Sequence, residues 1–437
     1  MPGTILHIGM DDTDSPRGMC TTYLAYRLAG ELARRGAEFL DFPRLVRLNP
    51  NVPWRTRGNG AVSLSVRTGD PGGARRAALS LLRRHADTGN GANPGIVFVE
   101  GGVPPALAGL AREALCRLVP RREAWRAVDA AGAERHHMGN GQGVVGAASA
   151  VGYVFGDSTL ELLAYRRRRM FGTKRRISAE SVRRMDEATR PHTFCSYDAR
   201  RRRPLVAPRG PDPVFCGVRG ESAGPLLRAA SYIEAGEELD GHMIFRSNQG
   251  TGDHMRRPLD PSMPPYASGT VSGIVGAPPS GIPGRHAAFT VVSGGSEFAC
   301  AAYRETGLAP LAMRLAPGDE VRVGGGVRRA SARRPRTINV EFIRVVRAAP
   351  RLANPPCGSC GRRMKSRGRG QGFGCGRCGT SSGSRVIARG RGARRGLYLP
   401  RDSALRHLAR PAQRIGLRGG ARFDPSGAWY SRYGSGE

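Results

Sequence analysis

Lysine is nearly missing from this chain: Lys174 and Lys365 stand alone among 437 residues, so almost all of the 69 basic residues are arginine. Carboxylates are scarce too, 35 against those 69, which leaves a formal charge of +34. A codon bias explains arginine in place of lysine but not the shortage of acids. A chain so charged repels itself unless a polyanion neutralises it, and nucleic acid is the partner expected. Also missing is any long apolar run: no positively flanked apolar segment opens the chain, and the longest small-apolar stretch, Gly143 to Phe155, is too short to span a bilayer. No membrane partner is expected. Nor is there a disulfide framework, because Cys20, Cys116, Cys195, Cys216 and Cys300 are scattered and odd in number. A reducing, cytoplasmic setting fits that pattern.

What stands out among the residues present is Cys357-x2-Cys360 followed, after fourteen residues, by Cys375-x2-Cys378. Paired CxxC knuckles turn four thiolates toward one tetrahedral zinc, and Gly368-Arg369-Gly370-Gln371-Gly372 can supply the hairpin tip between them. Four unrelated buried cysteines would be the bland reading. With no histidine nearby to complete an open site, the zinc is expected to be structural, so that chemistry must be sought elsewhere.

The length allows two to four domains. Apolar strands at Ile5 to Met10, Ala61 to Arg67 and Gly95 to Glu100 alternate with helices at Thr21 to Arg35, Ala74 to Ala86 and Pro104 to Val119, which reads as α/β over 1–157. A second, α+β segment over 158–264 has helices at Ser178 to Ala188 and Leu226 to Ala235 and strands at Val214 to Val218 and His242 to Arg246. It ends in a Pro-rich linker, Pro258 to Pro265. Residues 265–350 carry five strand signals, Gly269 to Gly276, Ala287 to Val292, Glu297 to Tyr303, Asp319 to Val327 and Thr337 to Val346, with a short helix at Leu308 to Leu315 between the third and fourth. That is the order of an OB barrel; an immunoglobulin-like sandwich would need about seven strands. The ribbon occupies 351–385. A basic tail, 386–437, follows, with an Arg/Gly-rich stretch from Arg385 to Arg395, an amphipathic element at Ser403 to Leu408 and a last ten residues expected to be disordered.

Chemistry is expected at Asp11, Asp12 and Asp14, three carboxylates at the end of the first strand. Such a cluster at the carboxyl edge of an open sheet suits Mg2+ bridging nucleotide phosphates. A solvated acidic turn is the bland reading. Thr21 and Thr22 open the following helix, whose free N–H groups favour a phosphate; either could meet a transferred phosphoryl group or simply cap the helix. Two glycine loops, Arg57-Gly58-Asn59-Gly60 and Gly141-Gln142-Gly143-Val144-Val145-Gly146, are candidates for cradling phosphates, although GxGxxG alone is weak and no acidic residue follows in a Rossmann position. The adjacent His136 and His137 read as surface residues. Arg246 to His254 concentrates Asn248, Gln249, Thr251 and Asp253 after a strand, groups able to read a base edge or meet a cation; a polar turn is the alternative.

Taken together, Ile8 to Tyr23, Asn51 to Gly60, Gly139 to Gly143, Arg246 to His254, the ribbon with Met364 to Ser366 and Gln371 to Phe373, and the tail's Arg406 to Pro411 resemble the archaeal isoleucine-tRNA 2-agmatinylcytidine synthetase family. The likeness runs from residue 1 to about 415. It implies a kinase-like domain, a ferredoxin-like domain, an OB fold and a zinc ribbon, in that order. It also implies that ATP activates C2 of the wobble cytidine in an isoleucine tRNA with a CAU anticodon, and that agmatine displaces the activated oxygen so that the anticodon reads AUA. Asp11, Asp12 and Asp14 would then orient Mg2+ and ATP, and Asp253 would help receive the dicationic amine. Cys195-Ser196 departs from the more polar, Asn-containing run expected there. Two rivals remain at this point: a non-enzymatic OB and zinc-ribbon protein that binds single strands, and a tRNA-modifying ligase that uses another amine.

Overall fold

The computed structural model describes residues 3–332, 334–387, 392–405 and 409–433. Arg406 to Leu408, part of the expected amphipathic element, lie outside the described residues, as do 388–391 of the Arg/Gly-rich stretch and 434–437. The chain divides into two compact units. One comprises Met1–Thr270, Gly325–Arg329 and Leu399–Glu437; the other comprises Val271–Gly324 and Ala330–Tyr398.

In the first unit the chain order is β1 (Thr4–Asp11), α1 (Thr21–Arg34), β2 (Arg44–Arg47), β3 (Gly60–Thr68), α2 (Pro71–His85), β4 (Gly95–Glu100), α3 (Pro105–Cys116), α4 (Arg121–Ala130), β5 (Glu134–His137), α5 (Gly143–Gly152), β6 (Thr159–Arg166), α6 (Ala179–Thr189), β7 (Val214–Gly220), α7 (Ala223–Tyr232) and β8 (Leu239–Ser247). These strands form one sheet in the order β5-β4-β1-β3-β2-β8-β6-β7, with Thr193–Phe194 beyond β7, Glu38–Phe39 on β3 and Tyr430–Arg432 on β8. The alternation of β1 explains its layers. Leu6, Ile8 and Met10 point into a core shared with Leu24 and Leu28 of α1. Gly9, on the opposite face, lies under α5: a Cβ there would stand 2.2 Å from the carbonyl oxygen of Ala147. α1 ends where expected, with Gly36 in the left-handed region at φ 74°.

The structure adds three features to the expected organisation. First, 1–157 and 158–264 share one sheet and one core, because β2 pairs in parallel with β8 (Arg44 with Arg246, Leu45 with Ser247) and Leu6 and Leu24 belong to the same buried cluster as Leu162, Tyr165 and Phe245. Second, Pro258 to Pro265 is not a free linker: Leu259 and Met263 are buried, and the Leu259 N–H donates to Thr270 O at 2.7 Å. Third, the tail is packed. Tyr430–Arg432 extend the sheet along β8, Trp429 and Phe423 join the core, and the fully buried Arg414 bonds Asp157 and Glu221.

Most of a five-stranded barrel belongs to the second unit, although its strands Ser268–Val275 and Glu320–Arg328 include residues of the first. Its five strands, β9 (Ser268–Val275), β10 (His286–Ser293), β11 (Ser296–Ala302), β12 (Glu320–Arg328) and β13 (Thr337–Arg347), close in the order β9-β12-β13-β11-β10-β9. β11 and β13 run parallel, and a short helix, α8 (Ala309–Ala312), falls between β11 and β12 as expected. In the ribbon, Lys365–Ser366 pairs with Phe373–Gly374 around the glycine-rich tip. Among the described residues, no helix is long and apolar enough to cross a membrane.

Candidate functional site

The end of β1 meets the first turns of α1 and α5, and that meeting makes the site. Parallel-sheet reasoning does not account for it, since β1 is antiparallel to both neighbours, β3 and β4. Asp11 closes the strand opposite Gly95, and its carboxylate lies against Gly146 of α5. Gly95, Gly143 and Gly146 act together. A Cβ on Gly95 would meet Val144 N at 2.1 Å, one on Gly143 the backbone oxygen of Asp11 at 2.5 Å, and one on Gly146 Asp11 Oδ2 at 1.8 Å. Their bare backbones bring the start of α5 onto the carboxylate. The Gly143 N–H is already donated to Asn93 O at 2.9 Å, so that group is not held free for a phosphate.

Burial first, and then the charge of Asp12, push the Asp11 carboxyl up to about 7. Asp12 sits in the left-handed region at φ 55° and is raised by burial to about 6, although its Oδ2 accepts the Asn93 N–H at 3.3 Å. Two adjacent carboxyls thus resist double ionisation near neutrality, a state that a cation between them would relieve. Asp14 behaves differently. It is paired with Arg57, whose Nε is also 3.4 Å from Asp212 Oδ2.

Thr21 and Thr22 occupy the first turn of α1, where Thr13 Oγ1 donates to Thr21 Oγ1 at 3.0 Å and Cys20 Sγ lies 3.0 Å from Thr22 Oγ1. The loop carrying Arg57, Gly58, Asn59 and Gly60 folds over the same cleft. Arg57 and Asn59 both take positive φ (41° and 51°), and Asn59 Nδ2 anchors the loop on Asn49 O at 2.7 Å. The cleft is therefore lined by Asp11, Asp12, Asp14, Thr21, Thr22, Arg57 to Gly60 and Gly146.

Asn248, Gln249, Thr251 and Asp253 are absent from that lining and are buried. Asn248 Oδ1 accepts the Arg47 N–H at 2.7 Å and its Nδ2 donates to Arg47 O at 3.0 Å, which extends the β2–β8 pairing by a side chain. Thr251 Oγ1 donates to Asn248 O at 2.8 Å, and Thr159 Oγ1 donates to Gln249 O at 2.9 Å. Asp253 accepts the Tyr153 hydroxyl and pairs with Arg256 at 2.6 Å. Tyr153 caps the far end of α5, about two turns along the helix from Gly146. Gly141 and Gly143 also stay out of the lining.

Residues that sequence reasoning passed over do line the cleft: Arg47, Arg117, Trp54 and Arg55. Trp54, 60% exposed, presents an open indole face beside it. Arg47 is held by Glu161 at 2.8 Å, and Arg219 meets the same carboxylate at 3.2 Å; burial raises that carboxyl, but the two guanidinium groups prevail and hold it below its usual range. Trp54 and Arg55 belong to the Asn51 to Gly60 run that carries the family resemblance, whereas Arg47 and Arg117 are two arginines among many.

In the second unit, the sulfurs of Cys357, Cys360, Cys375 and Cys378 all lie within 4.8 Å of one another. Thiolates about 2.3 Å from a tetrahedral zinc stand about 3.8 Å apart, so the set fits that ion. The Cys360 N–H, aimed at Cys357, lowers that thiol toward the thiolate a metal needs. Among the described residues this is the only such cluster of three or more histidine, cysteine or acidic side chains.

Three family models match: the TiaS TCKD domain at residues 7–78, the TiaS FLD domain at 141–254 and the TiaS C-terminal zinc ribbon domain at 354–391. The isoleucine-tRNA 2-agmatinylcytidine synthetase TiaS of Cenarchaeum symbiosum is 51% identical, with 100% of this chain and 99% of that protein covered. The corresponding Pyrococcus horikoshii protein is 37% identical, with 93% and 96% covered. Among solved structures, a complex of TiaS with its isoleucine tRNA and ATP aligns with a TM-score of 0.82 at 36% identity, covering 96% of this chain and 99% of that chain. A complex of TiaS with the same tRNA, AMPCPP and agmatine aligns with a TM-score of 0.82 at 33% identity, covering 95% and 99%.

Proposed function

The chain belongs to the isoleucine-tRNA 2-agmatinylcytidine synthetase family, and from that premise we propose how its own residues divide the work. The protein is an ATP-dependent tRNA-modifying ligase: it joins agmatine to C2 of the wobble cytidine of the isoleucine tRNA, so that CAU reads AUA. The observation that carries the residue assignment is geometric: Asp11 and Asp12, at the end of β1, line a cleft together with Thr21 and Thr22 of α1 and Gly146 of α5, whose bare backbone lies against the Asp11 carboxylate.

Asp11 and Asp12 hold Mg2+, which supplies charge neutralisation for the ATP phosphates. Thr21 and Thr22 offer hydroxyls at the positive end of α1, where a phosphoryl group in transfer is stabilised. Arg57, poised between Asp14 and Asp212, brings a cation to the phosphate side, with the backbone of Gly58, Asn59 and Gly60 beneath it. Gly146 and Gly143 act through their missing side chains, which let α5 close on Asp11. The buried hydrogen bonds of Asn248, Thr251 and Asp253 support a framing role in place of direct contact with agmatine or cytidine. The oxygen on C2 is a poor leaving group until phosphoryl transfer makes it a good one, after which the amine adds and the phosphate departs. The cytidine must leave its stack first, at a cost of a few kcal/mol that is smallest in a loop.

Two coarser features acquire finer labels. The β6-α6-β7-α7-β8 run, antiparallel with β6 between β7 and β8, supports the ferredoxin-like label. Phosphate chemistry at Asp11 and Asp12 supports the kinase-like one. The barrel and ribbon grip the tRNA while zinc stays outside the chemistry. Because tRNA and ATP meet there, we place the reaction in the cytoplasm.

The test is mass spectrometry of the wobble nucleoside together with ATP consumption, for the native chain and for Asp11→Ala and Asp12→Ala. The native chain adds agmatine but neither lysine nor spermidine, and both variants lose ATP turnover and product. Undiminished turnover in the variants would remove Asp11 and Asp12 from the site.

A further inference from the structure

A second cavity, about 720 Å³, adjoins the carboxylate cleft. Met19 and Tyr23 line it, and the residues between them, Cys20, Thr21 and Thr22, line the cleft, so the N-terminal turn of α1 is common to both. Six arginines from separate parts of the chain converge on this cavity: Arg27 on α1, Arg84 near the end of α2, Arg167, Arg168 and Arg169 after β6, and Arg432 on the strand added to β8. Only three carboxylates accompany them, Asp87, Glu238 and Asp240.

The cations are not all spent on internal pairs. Arg84, Arg168 and Arg432 are exposed, and none makes an ion pair with a described residue. The Arg169–Glu238 pair at 2.6 Å has both partners more than two-thirds exposed, a contact that is readily exchanged. Arg167 stands 3.6 Å from Asp240. His85, inside the same wall, is pushed down to about 4 by burial and then by Arg27, Arg168 and Arg84, so it adds no charge at neutral pH but registers the positive field.

We propose that this arginine-lined cavity is a binding site for the sugar-phosphate backbone of the tRNA, next to the nucleotide being modified. The chemistry selects the ligand. Agmatine is a dication and would be repelled. A nucleoside triphosphate is cradled by glycine-rich backbone, and no glycine lines this cavity. Tyr23 and Phe171 are turned edge to face on each other, 5.4 Å apart, and offer no open platform for a base. What is left is a field of guanidinium forks spread over several segments, which suits successive phosphodiesters. The proposal rests on tRNA being the substrate and adds where its backbone lies.

The test compares the full chain with a triple variant, Arg84→Gln, Arg168→Gln and Arg432→Gln, by tRNA affinity over a range of salt. Each lost phosphate contact lowers the slope of log K against log salt by about 0.7 for a single strand. Three contacts lower it by about 2, and affinity at low salt falls at least tenfold, while the KM for ATP stays put. The corresponding Arg→Lys triple variant recovers most of the slope, which a merely structural role would not produce. An unchanged slope and affinity in the Gln variant overturns the proposal, as does a loss confined to ATP. Agmatine transfer by the native chain, measured alongside, reports separately on the family reading, so failure of one is not mistaken for failure of the other.

Discussion

Gly146→Ala is the sharpest probe of the site because it perturbs Asp11 without removing it. A Cβ at this position would stand 1.8 Å from Asp11 Oδ2, 2.4 Å from its Cγ and 2.8 Å from its Cβ. Rotation about the side-chain bonds can swing Oδ2 aside but cannot move the Cβ, so Asp11 must retreat with its backbone by roughly 1 Å to reach ordinary contact near 3.5 Å. Two terms set the effect on stability: alanine in a helix gains about 1 kcal/mol over glycine, and overpacking costs about 1–3 kcal/mol. The net loss is at most about 2 kcal/mol, and the fold survives. Catalysis is far less tolerant, since a displacement of about 1 Å at reacting groups costs on the order of 100-fold in rate. Single-turnover agmatine transfer under saturating substrates is therefore expected to fall about 100-fold while the melting temperature moves by only a few degrees. Gly109→Ala in α3 is the control: its Cβ would meet nothing nearer than the Arg112 guanidinium at 3.9 Å, so it gains stability and keeps its rate. A Gly146→Ala enzyme within threefold of the native rate would refute the reasoning, because the position of Asp11 would then not matter.

Cys375→Ser is expected to release zinc, read by metal analysis, and to weaken tRNA binding while the KM for ATP is unchanged; equal tRNA affinity would end the gripping role of the ribbon. Asp253→Asn disturbs a charge-assisted bond from Tyr153 and costs about 1–3 kcal/mol in denaturant unfolding with the KM for agmatine unaltered. A tenfold rise in that KM would restore Asp253 as a substrate contact. Glu113 carries a pH prediction. Its hydrogen bonds with Arg257, and then those with Arg117 against the opposing effect of burial, hold its carboxyl down at about 2. A depressed carboxylate contributes stability above its unfolded value of about 4.5, and that contribution is lost as pH falls toward 2. With 27% of the side chain exposed, screening leaves on the order of 1 kcal/mol. Glu113→Gln should cost about that much at pH 7 and nothing near pH 2; a pH-independent difference would rule out the ion pair as its source.

The elements legible in the sequence are those whose signal is local. β1 and α1 announce themselves by periodicity and a stopping glycine, the ribbon by cysteine spacing, and the barrel strands by runs of β-formers between turns. β2 was not legible: Arg44-Leu45-Val46-Arg47 is too short to show a period, and its partner β8 lies some 200 residues on. The same distance hid the role of Asn248, whose amide completes that pairing at Arg47. Within the site the carboxylates and threonines were legible because they are rare types in a fixed order after a strand. Arg47 and Arg117 were not, since in a chain with 69 basic residues an arginine carries no information until its neighbours are known. The glycine and serine of the last ten residues point to disorder, yet Trp429 packs on Phe39 and Tyr430–Arg432 pair with β8; earlier in the tail, Phe423 packs on Phe42 and Arg414 neutralises two acids, contacts with partners too distant in sequence to be legible.

That packed tail sets the timing of folding. Asp157 and Glu221 leave the ribosome long before Arg414, and at about 5–20 residues per second the interval is on the order of 10–50 s. Once β8 has emerged, the first unit has its strands up to β8 but not the guanidinium that the buried Asp157 requires, nor the strand that Tyr430–Arg432 add along β8. The barrel and ribbon are synthesised within that interval. The N-terminal unit, with the Asp11–Asp12 cleft inside it, can therefore become fully stable only after the barrel and ribbon exist, so translation completes those modules before it completes the unit that holds the cleft.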